Sequence, residues 1–291
     1  MSPAKKIIKH QEKGYIPRAL ALDILDEVVR KNVRPDDRLE FYLKKENYRS
    51  LPKEDIALCK LIVMTTLRRW VHIEQILYNY LEKSVWSHSP RIHLIMMTAI
   101  CQLIFMQSPP YAVVNLAIIQ TKNDKKSYKL KSLVNAVLRR VSDDIEKYND
   151  DQFDNVELIP KWMLERWKNY YTSDEINQIA SSLVNIPPLD ITLKKIDEKI
   201  AEDLGGQCII PRNIRFKKYG FIPDIEYYHD GKWWIQDIAA SIPVRIIQNE
   251  INNKNIVDLC AAPGGKTANL IDAGAKVTAI ESNIDRISLL K

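Results

Sequence analysis

The stretch Asn255–Thr267, NIVDLCAAPGGKT, decides the fold of the C-terminal part of this chain. A short apolar run gives way to small residues, a proline and two glycines, and an apolar-periodic segment follows. This pattern is typical of a buried parallel strand that turns into a helix. Gly264 and Gly265 permit a tight turn and let a ligand approach main-chain amides without a Cβ in the way. Because the helix predicted to begin near Lys266 points unpaired N–H groups at the same place, we expect a cofactor-binding junction here.

A second predicted strand, within Lys276–Ser282 (KVTAIES), ends in Glu281. An acidic residue at this point accepts hydrogen bonds from ribose hydroxyls in nucleoside-binding α/β folds. A phosphate loop is disfavoured, since the pattern G-x-x-x-x-G-K-[ST] requires glycine where this chain has Cys260. A plain strand-to-helix turn without a ligand is the alternative that the residues leave open.

Length and composition favour a multidomain globular protein with an uneven charge. The 291 residues are 46% hydrophobic and 27% charged, which suffices for more than one buried core. Residues 1–150 hold 26 Lys and Arg against 17 Asp and Glu, a balance of +9, whereas residues 151–291 hold 17 against 20, a balance of −3. A polyanion partner for the first half follows from this, although surplus lysines that only solubilise a helical domain would give the same balance.

Cysteine usage and hydropathy exclude several classes of protein. The four cysteines are widely spaced without a C-x-x-C pair, so we expect no metal site, no disulfide framework and a cytoplasmic setting: Cys59, Cys101, Cys208 and Cys260. The most apolar run, Ile92–Met106, is shorter than the roughly 20 residues that cross a bilayer, so it is predicted to be a buried core helix. The N-terminus lacks the apolar stretch of a secretory signal, and no membrane partner is expected.

Periodicity divides the chain into helices, a mixed connector and the start of an α/β sheet. Helical spacing runs from Tyr15 to about Tyr148 and predicts an all-α bundle of six or seven helices, among them Asp36–Lys45, His72–Lys83, Pro90–Gln107, Tyr111–Lys122 and Leu130–Tyr148. Two short helices are predicted after Pro160, the second opening with capping-box spacing at Thr172 and Glu175. Further elements are strands within Leu189–Leu193, Cys208–Ile210, Ile214–Phe216 and Trp233–Gln236, and helices Ile196–Leu204 and Ile238–Asn249. The predicted domains are 1–148, 149–236 and 237–291.

Several separated motifs resemble one family. DLCAAPGGKT followed by AIES resembles the S-adenosylmethionine motif of the RsmB/Sun family of RNA 5-methylcytosine methyltransferases, and WIQDIAAS at 234–241 is similar to the segment that precedes that motif. The N-terminal part resembles the NusB-like RNA-binding bundle of the bacterial branch, on LRRW at 67–70, SPPYAVVNLAI at 108–118 and VNAVLRRV at 134–141. The resemblance covers nearly the whole chain.

The resemblance implies methyl transfer from S-adenosylmethionine to C5 of a cytosine in small-subunit ribosomal RNA. The implied fold is an all-α NusB-like helical bundle, a small α+β connector and the first βαβ part of a Rossmann-like α/β methyltransferase domain. The implied cofactor residues are Cys260, Ala261, Ala262, Pro263, Gly264, Gly265, Lys266 and Glu281. Electrostatics suggests phosphate contacts at Arg68, Arg69, Lys125, Lys126, Lys129, Lys131, Arg139 and Arg140.

The catalytic step is expected to be missing from this chain. The family is implied to use a cysteine thiolate that adds to cytosine C6 and a second cysteine that helps eliminate the adduct, both on later strands. This sequence has no cysteine after Cys260, and Cys260 matches the cofactor loop. We therefore expect an inactive, C-terminally truncated monomer: a fragment, a split gene product or a decayed enzyme. The alternative function is a NusB-like RNA-binding or scaffold protein with a vestigial methyltransferase tail.

Overall fold

The computed structural model describes residues 12–81, 83–124, 128–148, 152–217, 219–220 and 222–290. The chain divides into two compact units, Met1–Asn185 and Ile186–Lys291. Each unit has its own buried apolar clusters. The three-part division at 148 and 236 stays a prediction.

Helices make up the first unit, as the sequence predicts. Those of the bundle are α1 Tyr15–Lys31, α2 Pro35–Leu43, α3 Lys53–Arg68, α4 Trp70–Tyr78, α5 Pro90–Ile100, α6 Pro110–Asn123 and α7 Lys131–Asp143. Three of them begin with a proline in the first turn, where its missing N–H would lack an intrahelical partner anyway. The bundle then continues through a 3₁₀ turn, Ile145–Lys147.

The central helix α5 is buried on every side. Every residue from Ile92 to Ile100 is buried and most are apolar, which is the pattern of a helix enclosed by others. Two polar side chains of this helix and its continuation bond to nearby carbonyls: Thr98 donates to the carbonyl of Ile95 at 3.0 Å, and Gln102 donates to the carbonyl of Thr98 at 2.9 Å. The predicted buried core helix is therefore confirmed.

The sequence did not predict the π-helical turn Cys101–Phe105 that continues α5. Within it, the Gln102 side chain also accepts a hydrogen bond from Arg18 Nε at 2.6 Å. A π-turn inside an otherwise helical run often marks a local constraint, and here it carries the side chain that ties α1 to the central helix.

In the described part of the chain, the smallest of three apolar clusters in the first unit follows the bundle; the other two lie within the bundle itself. It packs the 3₁₀ turn Asn155–Leu158, α8 Lys161–Trp167 and α9 Ser173–Leu183 around Ile159, Ile176 and Ala180. The predicted capping box is confirmed, with Thr172 and Glu175 bonded reciprocally at the start of α9.

The second unit begins with a four-stranded antiparallel sheet of order β2-β3-β1-β4. Its strands are β1 Leu189–Leu193, β2 Gln207–Ile210, β3 Asn213–Phe216 and β4 Trp233–Ile235. The helix α10 Glu198–Leu204 lies between β1 and β2 and ends at Gly205, whose φ of 63° is the left-handed cap that glycine favours. Every residue of β1 is buried.

The α/β segment follows as α11 Ile238–Ile247, β5 Asn255–Leu259, α12 Gly265–Asp272, β6 Lys276–Ile280 and the short α13 Ile284–Ile287. β5 and β6 pair in parallel, as predicted, with Asn255 opposite Lys276 and Leu259 opposite Ile280. On one face of this pair, Ile256 and Val277 pack against the cluster formed with α11 and α12.

The other face of the β5–β6 pair is open. Val257 is 56% exposed, Leu259 is 69% exposed and Ile280 is 48% exposed. The prediction of a buried strand is therefore wrong for this face. Parallel strands are normally covered on both faces, and among the described residues the covering helices α11 and α12 share one face.

Candidate cofactor site and candidate RNA surface

A tight loop joins the carboxyl end of β5 to the start of α12. Cys260 adopts a φ of 60°, the Ala262–Pro263 peptide is cis, and Gly264 has a φ of 108°. A side chain at Gly264 would be strained by that φ, and its Cβ would lie 3.3 Å from Leu290. The left-handed conformation of Cys260 is uncommon for a residue with a side chain, and such conformations cluster at ligand sites.

Two hydrogen bonds fix the ends of this loop. Thr267 in the first turn of α12 donates to the Asp258 carboxylate of β5 at 2.5 Å. The Ala261 N–H donates to the carbonyl of Ile280 at 3.0 Å, which holds the loop against the end of β6. The carboxyl ends of both parallel strands therefore meet at the loop, which is where open α/β sheets bind ligands.

Glu281 faces the loop from the end of β6. Its carboxylate accepts hydrogen bonds from the Asn283 N–H at 2.9 Å and the Ala262 N–H at 3.2 Å, and pairs with Arg286 at 3.6 Å. These contacts lower the pKa of Glu281, the Asn283 amide being the largest cause, followed among the lowering effects by the Ala262 amide and the Arg286 charge. A partly buried, ionised acceptor therefore lies beside the glycine loop.

Two residues at the loop were missed by sequence reasoning as site residues. Arg286 also donates to the carbonyl of Ala262, which ties α13 to the loop. Gln236 lies next to Gly265: a Cβ atom added to Gly265 would be 3.6 Å from Gln236 Cγ, which is an ordinary van der Waals contact. Gln236 is buried and accepts from Thr192 at 2.9 Å and Trp234 at 3.1 Å. Only the resemblance of WIQDIAAS pointed to this neighbourhood; no local pattern singled out Arg286.

The structure brings the eight sequence-predicted cofactor residues together around the loop. Ala261 and Ala262 are buried, Gly264 and Gly265 are partly buried, and Cys260, Pro263 and Lys266 are exposed. α12 opens at Gly265, so its first N–H groups follow directly on the loop whose Ala262 N–H binds the Glu281 carboxylate. Amide donors together with one fixed carboxylate fit a ligand that has an anionic end and hydroxyl groups.

The candidate phosphate-binding residues fall into different environments. Lys129, Lys131, Arg139 and Arg140 are exposed and Arg68 is partly buried. Lys125 and Lys126 lie outside the described residues. The prediction that Arg69 contacts phosphate is wrong. Arg69 is only 8% exposed and its guanidinium lies 4.9 Å from the centroid of the Phe105 ring, so it packs inside the helical unit.

An open groove of about 400 Å³ lies beside Arg139. It is formed between α6 and α7, and Tyr111, Asn115, Asn135 and Arg139 contribute to its walls. Tyr111 is 86% exposed. An exposed aromatic ring next to an arginine is a combination that stacks on bases and pairs with phosphates, yet sequence reasoning did not propose Tyr111.

Among the described residues, the cysteines and the possible metal ligands form no further candidate site. Burial raises the pKa of Cys59 and of Cys101 to about 12, so both thiols stay protonated at neutral pH. Cys208 and Cys260 are exposed. In the described ranges, no group of three or more His, Cys, Asp or Glu side chains could hold a metal ion. No described helix is long and apolar enough to cross a membrane.

Comparison with known proteins assigns residues 16–143 to the NusB family. Among curated proteins, the chain is similar to ribosomal RNA small subunit methyltransferase B of Erwinia tasmaniensis, with 26% identity over 82% of this chain and 58% of the relative. The protein of the same name from Yersinia enterocolitica is 27% identical over 84% of this chain and 59% of its own length. The crystal structure of PH0851 superposes with a TM-score of 0.67 at 16% identity, covers 97% of this chain and 66% of that protein, and supports the fold.

The fold and these comparisons define a NusB domain followed by an α/β region. Curated proteins named ribosomal RNA small subunit methyltransferase B match over most of the chain. The chain is therefore similar to this group of ribosomal RNA small subunit methyltransferases, and its residues 16–143 match the NusB family. It spans just under three fifths of the length of the first two relatives.

Proposed function

We propose that this chain serves S-adenosylmethionine-dependent methylation of cytosine C5 in small-subunit ribosomal RNA, in the cytoplasm. The observation that carries the proposal is the Glu281 carboxylate held against the glycine loop by the Ala262 N–H. The relatives' names, which state ribosomal RNA small subunit methyltransferase, support the reaction class.

The loop residues would bind and orient the cofactor. In the proposed complex, main-chain amides at Gly264 and Gly265 face the carboxylate of the methionine moiety, because that end is anionic and the start of α12 carries partial positive charge. Glu281 accepts from the ribose hydroxyls, for which its ionised state is the required form. Bound S-adenosylmethionine would supply an electrophilic methyl group.

The 291 residues do not supply the thiolate that the proposed reaction needs. Cytosine C5 requires activation by a nucleophile at C6, and no cysteine follows Cys260 in the sequence. Cys260 itself lies in the proposed cofactor loop. We therefore propose that this polypeptide alone binds rather than methylates.

The exposed cations of the helical unit are the proposed contacts to ribosomal RNA. Lys129, Lys131, Arg139 and Arg140 reach solvent, and the groove beside Arg139 presents the Tyr111 ring. Phosphate contacts of this kind fix the position of an RNA and weaken with salt. The protein is proposed to act as a monomer without a metal ion.

Ultraviolet cross-linking of radiolabelled S-adenosylmethionine to the purified chain tests the cofactor site. We expect weak but specific labelling, reduced at least tenfold in Glu281→Gln because the amide replaces the ionised acceptor. Glu250→Gln is the matched control, since Glu250 is an exposed carboxylate of the same unit. Labelling that is equal in Glu281→Gln and in the unmodified chain would remove the proposed role of this carboxylate.

Radiolabelled methyl transfer to a small-subunit ribosomal RNA fragment tests the second half of the proposal. We expect no turnover by the 291-residue chain. Turnover would show that this polypeptide contains a catalytic nucleophile and would overturn the assignment of the missing step.

A NusB-like RNA-binding or scaffold protein with a vestigial tail is the second candidate. The open apolar face at Val257, Leu259 and Ile280 favours it, since a sheet that is covered on one side makes a poor cofactor pocket. RNA binding with no S-adenosylmethionine labelling would select this candidate over the first.

A further inference from the structure

An exposed aromatic and basic stripe runs along α8 and the turn after it. Trp162 is 65% exposed and Tyr170 is 75% exposed. Of the chain's six tryptophans, all of them among the described residues, Trp162 alone is exposed. Arg166 lies between Trp162 and Tyr170 in the sequence and is also exposed. We name Trp162, Arg166 and Tyr170 the α8 stripe.

The packing of α8 explains why these side chains point outward. Met163, Leu164 and Trp167 pack on the small cluster around Ile159 and Ile176, which fixes the orientation of the helix. Trp162 and Arg166 are four residues apart, so they lie on one side of α8 and away from that cluster. Tyr170 continues the spacing in the turn that follows.

The backbone at the Tyr170 end of the stripe is fixed before any ligand arrives. The Tyr170 N–H donates to the carbonyl of Trp167 at 2.8 Å, and the Tyr171 ring packs edge-on against the Trp167 ring at 6.3 Å. One residue later, the capping box of Thr172 and Glu175 starts α9. A rigid presentation lowers the entropic cost of binding.

This surface carries a net positive charge, and its cations are exposed to solvent. Lys161, Arg166 and Lys168 are exposed, and Glu165 is the one acidic residue between Lys161 and Tyr171. Within the part of the chain that the structure describes, none of these three cations forms an ion pair. A surface with a net charge of about +2 that carries exposed aromatic rings matches the chemistry of an unpaired nucleic-acid strand: a charged backbone and flat bases.

We propose that the α8 stripe binds single-stranded RNA, with bases stacking on Trp162 and Tyr170 and phosphates pairing with Lys161, Arg166 and Lys168. This site is separate from the Arg139 groove on α6 and α7. The inference rests on the proposed function, because it takes ribosomal RNA as the ligand of the chain. Unpaired segments are preferred over duplex because stacking requires free base faces.

Fluorescence anisotropy of the full 291-residue chain with a labelled single-stranded RNA of mixed sequence tests the stripe. Loss of one stacked base costs about 1–3 kcal/mol, so Trp162→Ala and Tyr170→Ala should each weaken binding about 5- to 150-fold. Trp162→Phe should retain most of the affinity, since it keeps a ring. Tyr219→Ala is the matched control, because Tyr219 is 43% exposed but lies in the second unit.

Salt dependence separates stacking from charge. Trp162→Ala should weaken binding equally at low and high salt, whereas Arg166→Gln should weaken it mainly at low salt and flatten the salt dependence. Duplex RNA of the same length should bind equally to the unmodified chain and to Trp162→Ala. Circular dichroism of each variant verifies that the helices remain.

Three results would overturn the proposal. Unchanged affinity of folded Trp162→Ala and Tyr170→Ala would remove the stripe from RNA binding while leaving the proposed function in place. Failure of the unmodified chain to bind any RNA would overturn both. Unchanged RNA affinity combined with loss of binding to anionic lipid vesicles in Trp162→Ala would assign the stripe to a membrane surface instead.

Discussion

The helical unit and the β5–α12–β6 segment use apolar residues alike but bury them to very different extents. In the helical unit, α5 and its neighbours enclose fully buried side chains such as Leu94 and Leu138. In the α/β segment, the buried cluster consists of Val244, Ile251, Leu270 and Ala275, and one sheet face is open. An apolar residue in a strand shows that a face can be covered, but the covering element has to be present as well.

The difference also changes what holds each region together. The helical unit relies on a close-packed apolar core, in which every side chain has neighbours on all sides. Around the glycine loop, the α/β segment relies on polar contacts: Thr267 with Asp258, and Ala262 and Arg286 with Glu281. Stability should therefore respond to different substitutions in the two regions.

A matched pair of leucine truncations gives the largest expected contrast. Leu138→Ala removes a fully buried side chain of α7 and should lower the free energy of unfolding of the helical unit by about 2–5 kcal/mol. Leu259→Ala removes a 69% exposed side chain of β5 and should change stability by no more than about 0.5 kcal/mol. Hydrogen exchange resolved by peptide at graded urea concentrations measures both units in one sample.

A loss of stability from Leu259→Ala as large as that from Leu138→Ala would contradict the proposed difference between the two regions. That result would mean that the open face is covered in solution. Leu61→Ala, at a 41% exposed leucine of α3, controls for the loss of a leucine from a helix surface.

Much of this fold could be predicted from the sequence because its signals are local. The helical periodicity, the capping box at Thr172, the glycine that ends α10 and the alternation of apolar and polar residue types in the β1 sequence each depend on a few neighbouring residues. The predictions that were wrong depended on residues far away in the sequence. The burial of Arg69 depends on the Phe105 ring, and the exposure of Val257 depends on a covering layer that no local pattern reports.

The residues of the candidate sites also fall into those that local sequence could predict and those that it could not. Its loop could be predicted because small residues and glycines at a strand-to-helix junction have a direct conformational meaning. Gln236 and Arg286 could not, since each reaches the loop from a separate element. Tyr111 and Trp162 were missed because periodicity cannot distinguish an exposed aromatic residue from a buried one.

A buried carboxylate of the second unit gives the next largest effect. Asp190 accepts two hydrogen bonds of 2.7 Å from Arg215 and one of 3.2 Å from the Ile238 N–H at the start of α11. Asp190→Asn should lower the stability of the second unit by about 1.5–3 kcal/mol at pH 7, because charged hydrogen bonds are lost. Hydrogen exchange of peptides from β1, β3 and α11 measures the change, and the helical unit should be unaffected.

The same contact predicts a pH dependence. Arg215 lowers the pKa of Asp190, its hydrogen bonds being the largest cause, so the stabilisation is present above the unfolded-state value of about 3.9. It is lost as the pH falls through the lower folded-state pKa, where the carboxylate becomes protonated. Asp190→Asn should remove this part of the acid sensitivity, whereas Asp230→Asn, at an exposed aspartate of the same unit, should leave it intact. An unchanged acid profile in Asp190→Asn would show that other groups dominate.

The smallest effect concerns the capping box, where a purely local signal stabilises the helical unit. Thr172 accepts from the Glu175 N–H at 3.3 Å, and the Glu175 carboxylate accepts from the Thr172 N–H at 2.8 Å. Thr172→Ala should cost about 1 kcal/mol and increase exchange in α9, since one of its first N–H groups loses its partner. Asn177→Ala, at an exposed position inside α9, should be neutral or slightly stabilising because alanine is the better helix former. If Thr172→Ala were also neutral, the cluster around Ile176 and Ala180 would be enough to hold α9, and tertiary packing rather than the local signal would determine where this helix begins.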